Sequence, residues 1–145
     1  ALEVYRSSGR PLSSYALPDR PRARWDVLPL AIDRPRAELY ARVEQRVDAM
    51  VKAGLADELR ALVAKGYGPE DPGMRAIGYA EFFELGGGDV ERGLARMDEA
   101  VGLVKLRTRR YAKRQLTFMR ALPGVEWFSA DDLPGVRARI LAWLG

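Results

Sequence analysis

Between Lys105 and Arg120 the chain reads KLRTRRYAKRQLTFMR, which is seven Lys or Arg with no acid among them. The whole chain carries +4, so the rest sums to −3 and the positive charge is local. Guanidinium and ammonium groups at this density suit phosphate oxygens, either along a polyanion or on a small ligand. Arg46, in RVEQR, is the second group to weigh. Chemistry that needs a thiol or an imidazole is excluded, because the 145 residues contain neither Cys nor His. The same absence removes the usual zinc ligand sets. Gly86-Gly87-Gly88 is not followed by Lys-Ser or Lys-Thr, and no Walker-type phosphate loop occurs anywhere in the chain. Asp98-Glu99 and Asp131-Asp132 read as solvated turns or helix ends. Trp25, Trp127 and Trp143 read as core or rim packing.

A helix turns about 100° per residue, which places Val104, Thr108, Tyr111, Ala112, Gln115 and Met119 within about one third of its circumference. The seven cations spread over roughly 200° of the remainder. Lys105, Arg109 and Lys113 follow one another at i,i+4 with the same sign, a spacing that normally favours opposite charges. Two readings stay open: the face meets a polyanion, or acids from elsewhere in the fold pair with it. Twenty of the 24 cations are Arg, a bias that GC-rich coding also produces, so only the clustering is informative.

On the helix that holds Arg46, with Leu39 set at 0°, Met50 falls at about 20°, Val43 at about 40° and Val47 at about 80°. Arg46 falls at about 340°, on the expected core face, while Glu44 and Asp48 point away. A buried guanidinium needs an anion, supplied by an internal acid or by a ligand phosphate.

The elements that must position these groups follow from patterning. ALEVYRSS is the tail of a helix that stops at Gly9, and residues 16–24 are a Pro- and Arg-rich connector. WDVLPLAID gives a buried parallel strand over about 26–32, with Pro29 where no ladder donor is needed. VEWF, 125–128, is a second short strand, and the first strand's sheet is expected on chain outside these 145 residues. Asp33 is the expected cap of a helix with Pro35 in its first turn. Gly54 separates that helix from a second, with Leu55, Leu59, Leu62 and Val63 inward and Gly66 at its end. MRAIGYAEFFEL gives a short helix stopped by the three glycines. Asp89 then caps a long helix that breaks near Gly93 or Gly102 and runs through 120, and LPGVRARILAWLG closes the chain. No apolar run reaches the roughly 18 to 20 residues of a membrane span, so a cytoplasmic protein is expected.

RPRAELYARVEQRVDAMVKAGLADELRAL, MRAIGYAE and TRRYAKRQLTFMR, in that order, resemble the C-terminal half of the bacterial tRNA dimethylallyltransferases, also called tRNA isopentenyltransferases. ALEVYRSSGRPLS matches as well, so the resemblance spans essentially the whole chain. It implies a mainly α chain that forms the C-terminal part of a P-loop-like α/β transferase. Residues 1–24 would be the tail of a helical insertion domain and connector, and 25–145 part of the catalytic core. The family moves a dimethylallyl group from dimethylallyl diphosphate to N6 of the adenosine 3′ of the anticodon, with Mg²⁺. Its phosphate loop, catalytic Asp and Mg²⁺ ligands are expected upstream of Ala1, so this chain alone is expected to be inactive.

Carried onto this sequence, the resemblance makes Arg46 the residue that stabilises the diphosphate. It makes Arg75, Ala76, Ile77, Gly78, Tyr79 and Ala80 one tRNA-contacting segment. Lys113, Arg114, Gln115, Leu116, Thr117, Phe118, Met119 and Arg120 form another, with Arg109 beside it, against the anticodon stem-loop. Ala80 stands where relatives often carry Lys or Arg, and Phe118 where many carry Trp. A stand-alone helical RNA-binding module without catalysis is the rival expectation.

Overall fold

The computed structural model describes residues 2–10, 14 and 26–145. After helix α1 (Leu2–Ser8), the connector expected at 16–24 lies outside the described residues, as does Trp25. Strand β1 spans Leu30–Asp33, shorter and later than the 26–32 expected. Pro29 is the reason: it has no N–H to donate, so the ladder starts after it. Its carbonyl still accepts from the Glu126 N–H at 3.0 Å.

Strand β2 spans Glu126–Ser129 and pairs parallel with β1, Leu30 opposite Glu126 and Asp33 opposite Ser129. Among the described residues β1 therefore has one neighbour within this chain, a pairing that the expectation of a sheet on other chain did not include. Its neighbour is β2, brought alongside by all the helices between them. Ala31 is buried while Ile32 on the other face is 49% exposed, so the pair is covered on one side.

Helix α2 (Arg36–Lys52) follows β1 directly. Asp33 does not cap it. The Asp33 carboxylate accepts from the next N–H, Arg34, at 2.8 Å, and Pro35 occupies the cap position with no side-chain bond. Helix α3 (Leu55–Ala64) begins after Gly54, as expected. A 3-10 turn at Pro72–Arg75 leads to α4 (Ala80–Gly86). Asp89 then caps the short α5 (Val90–Leu94), accepting from the N–H groups of Glu91 and Arg92.

The break in the long helix falls at Ala95-Arg96, and α6 runs unbroken through Gly102 from Met97 to Ala121. Helix α7 (Leu133–Leu144) is capped by Asp132, whose carboxylate accepts from the Gly135 N–H at 2.9 Å.

The core gathers Leu55, Leu59, Met74, Phe82, Phe83, Val90, Leu94 and Ala100, with Leu62, Val63 and Met97 packed around them. It therefore joins α3, α4, α5 and the first turns of α6. Helix α5 lies so close to α4 that a Cβ on Gly93 would sit 1.8 Å from the Phe82 carbonyl oxygen. Nothing larger than glycine fits there.

Candidate nucleic-acid interface

The first half of α6 is structural. Ala100 and Val104 are buried, and each nearby cation is taken by an acid from another helix. Lys105 pairs with Asp48 at 2.6 Å, and Arg109 pairs with Glu44 while lying over the Tyr40 ring at 5.9 Å. Arg107 reaches Glu84 at 2.5 Å and Glu81 at 3.3 Å. Its hydrogen bond to Glu84 outweighs desolvation and holds its pKa above the ordinary arginine value. Glu44 and Asp48, expected to point away from the packed face, meet α6 instead.

The second half differs. Arg110, Lys113 and Arg114 are exposed and have no carboxylate partner among the described residues. Tyr111 is exposed with the Arg114 guanidinium 5.9 Å from its ring, and Phe118 is 63% exposed. Arg120 stacks on Trp127 at 5.8 Å and approaches Asp33 at 3.8 Å. Tyr111 and Gln115, expected on the inward face, are both exposed. The inward row is Val104, Thr108, Ala112 and Leu116, with Met119 beside it. Each step of four residues advances about 40°, so the contact follows an i±4 ridge rather than a straight stripe. Thr117 is exposed, its hydroxyl donating to the Lys113 carbonyl at 3.0 Å.

The 75–80 segment forms the turn before α4. Arg75 is exposed and paired with Glu70, and Ala76 and Ile77 are exposed. Gly78 is buried with φ +111°, a conformation that disfavours any Cβ. Tyr79 donates its hydroxyl to Glu58 at 2.5 Å, and that bond, with partial burial, raises its pKa. Ala80 is half-buried at the start of α4.

One residue outside the expected set holds this turn. Glu81 is fully buried; one carboxylate oxygen accepts from the Gly78 N–H at 2.8 Å, and the other meets Arg107. It therefore ties the turn to α6. The sequence carries no distinctive signal for it, since a glutamate beside Phe82-Phe83 is by itself ordinary.

Arg46 requires a correction. It is exposed, not on the buried face, and has no ion pair among the described residues. The packed face of α2 runs from Leu39 and Met50 through Val43, Val47 and Tyr40 to Val51 and Glu44, centred near about 70–80° on the same wheel. Arg46 lies about 100° from that centre. Its guanidinium is free to meet a ligand.

Two openings lie where α2, α6 and the sheet converge. A cleft of about 600 Å³ sits at the carboxyl ends of β1 and β2, lined in part by Arg34, Arg36, Arg120, Trp127 and Ser129. Beside it is a notch of about 50 Å³ between α2 and α6. Among the described residues no group of three or more acids could hold a metal ion. No helix among them is long and apolar enough to cross a membrane.

Comparison with known proteins adds what geometry alone does not. A tRNA dimethylallyltransferase of Syntrophobacter fumaroxidans is 45% identical over 142 residues, 97% of this chain and 40% of its own length. One from Desulforudis audaxviator is 42% identical over 93% of this chain and 42% of its own length. The crystal structure of a tRNA isopentenylpyrophosphate transferase from Staphylococcus epidermidis superposes with a TM-score of 0.71 at 30% identity, covering 99% of this chain and 47% of that one. The chain thus spans less than half the length of these relatives. The architecture, mainly helical with a two-stranded parallel sheet, agrees with the P-loop-like fold expected. The family model described as IPP transferase matches residues 1–122, and the chain belongs to that family.

Proposed function

We propose that this chain is the tRNA-contacting and diphosphate-facing part of a transferase. The enzyme moves a dimethylallyl group from dimethylallyl diphosphate to N6 of the adenosine 3′ of the anticodon, in the cytoplasm. The carrying observation is the split of charge along α6. Its exposed end keeps Arg110, Lys113 and Arg114 without acids, beside the exposed rings of Tyr111 and Phe118. Backbone phosphates fit the cations, and unstacked bases fit aromatic faces. The turn at 75–80 offers Ala76 and Ile77 to the same partner.

Arg46 carries the second part of the reading. As the allylic C–O bond breaks and the adenine amine attacks, negative charge grows on the departing diphosphate. An exposed guanidinium without an internal partner is suited to stabilise that charge. The Mg²⁺ of the reaction finds no ligand cluster among the described residues. This chain spans less than half the length of its relatives, and by itself it is proposed to be inactive.

Two variants in the full-length enzyme test the reading. Arg46→Lys keeps the charge but loses the bidentate fork, and turnover should fall by tens-fold or more with tRNA affinity unchanged. Unchanged turnover removes Arg46 from the reaction. Lys113→Gln with Arg114→Gln should weaken tRNA binding and lower the slope of log affinity against log salt by about 0.7–0.9 for each phosphate no longer neutralised. An unaltered slope makes the exposed end of α6 an ordinary solvated helix.

A further inference from the structure

Helices α2 and α6 run past each other as a ladder of charges spaced by four residues along each chain. Asp48 of α2 faces Lys105 of α6, and one turn further along Glu44 faces Arg109, which also covers the Tyr40 ring. The next position on α2 is Tyr40, and one turn beyond it the pattern breaks. Arg36 from the first turn of α2 meets Lys113 and Arg120 of α6 around the 50 Å³ notch, with Tyr40 and Thr117 beside them and no acid in its wall. Neither Arg36 nor Lys113 has a carboxylate partner among the described residues. Asp33, 3.8 Å from Arg120, lines the larger cleft and not the notch.

We propose that this notch binds one phosphate group, held by Arg36 from α2 and by Lys113 and Arg120 from α6. Three cations from two helices repel one another unless an anion lies between them. Where α6 meets the same neighbour at its inner turns, the neighbour supplies that anion as Glu44 or Asp48. Further along it supplies Arg36 instead, and of the three cations only Arg120 has an acid among the described residues, Asp33 at 3.8 Å, so a ligand anion would complete the ladder. At about 50 Å³, the notch is on the scale of a single tetrahedral oxyanion. Arg36 can present its fork to two oxygens of one phosphate, while Lys113 acts as a point charge. An RNA backbone and a free diphosphate offer the same chemistry. Assigning the phosphate to RNA rests on the tRNA reading of Lys113 and Arg120, and it extends that interface onto α2. The phosphate site itself does not depend on that reading.

The test uses the full-length protein, with folding checked by circular dichroism and by the unfolding midpoint. Arg36→Gln, Lys113→Gln and their double variant are titrated with an anticodon stem-loop RNA across a salt series, and separately with inorganic pyrophosphate. Arg36→Gln should lower RNA affinity about threefold to tenfold and the salt slope by about 0.7–0.9. The double variant should lose less than the product of the singles, because both side chains serve one phosphate. Arg36→Lys should recover part of the loss. Weaker pyrophosphate binding with unchanged RNA binding would uphold the site and assign it to a free diphosphate. If Arg36→Gln changes neither ligand while the paired loss of Lys113 and Arg114 still weakens RNA binding, the notch is not a phosphate site and the tRNA reading survives. If none of these variants changes either ligand, both fall together.

Discussion

The two halves of α6 carry similar numbers of cations, three and four, and these have opposite fates. From Met97 to Arg109 the helix is packed, and Lys105, Arg107 and Arg109 are tied to Asp48, Glu81, Glu84 and Glu44. From Arg110 to Ala121 it is mostly exposed, and Arg110, Lys113 and Arg114 meet no acid among the described residues. The lesson is that a run of positive residues is not one feature. The reading in which acids from elsewhere pair with the segment holds for its inner half. In the outer half Arg110, Lys113 and Arg114 are left without such acids, which is what the proposed polyanion contact requires. What separates the two is the acidity of the neighbouring helices. Paired cations bind the fold together, and unpaired ones are available.

The strongest way to break this contrast is to remove the acid that anchors the packed half. Glu81→Ala would leave the Gly78 N–H without its acceptor and Arg107 with Glu84 alone. Arg107 is partly exposed, so water recovers some of the loss, and the expected cost is about 2–3 kcal/mol in chemical unfolding. The same variant should loosen the 75–80 turn, seen as faster amide exchange at Gly78. A cost under about 0.5 kcal/mol would mean that Glu81 is not an anchor.

A milder contrast compares one apolar side chain from each half. Val104 is 2% exposed and Phe118 is 63% exposed. Val104→Ala removes two carbons from packed surroundings, costing about 2 kcal/mol including the space left behind. Phe118→Ala should stay within about 0.5 kcal/mol, although it removes far more carbon. It should instead weaken RNA binding if a base stacks there. Equal destabilisation by the two would erase the distinction between the halves.

This division explains which parts were legible in the sequence. The helices were, because their apolar spacing and their Gly and Asp boundaries are local signals; Asp89, Gly54 and Gly66 act where patterning places them. Features that depend on another element were not. Arg46 falls on the core face only when Leu39 is the centre of that face, whereas packing against α6 rotates the centre toward Tyr40 and Val47. The same rotation brings Glu44 and Asp48 inward. Tyr111 and Gln115 share an arc with Val104, but the contact moves round the helix along an i±4 ridge. Glu81 was invisible because a lone Glu next to aromatics looks like any other until Gly78 and Arg107 are in place. The sheet was half legible. Patterning places both strands, with β1 shortened by Pro29, but not their pairing, because 92 residues separate Asp33 from Glu126.

A smaller effect sharpens the exposed half. Replacing Arg110, Lys113 and Arg114 together by Gln removes like charges that repel at i,i+3 and i,i+4. Stability should be unchanged or rise by up to about 0.5 kcal/mol at low salt, with the gain vanishing as salt is added. Replacing Lys105, Arg107 and Arg109 by Gln should lower stability clearly under every salt condition. If the outer set destabilises as much as the inner set, the outer cations have partners after all.

The smallest expected effect concerns an ion pair outside α6 that resembles its inner half. Arg139 of α7 grips Glu126 of β2 with two bonds of 2.7 Å, and α7 contributes no buried residue of its own. The hydrogen bond from Arg139 holds the Glu126 carboxyl below its ordinary pKa. A carboxylate with a depressed folded pKa adds stability that is fully present above its unfolded pKa of about 4.3 and is lost as pH falls through the folded value. Parent and Glu126→Gln chains should therefore differ at neutral pH, with the parent more stable, and converge in acid as pH falls through the depressed folded value. Both groups are solvent-accessible, so salt should shrink the difference as well. A gap between the two chains that is indifferent to pH would show that packing of α7 on β2, and not the charge pair, keeps this helix in place.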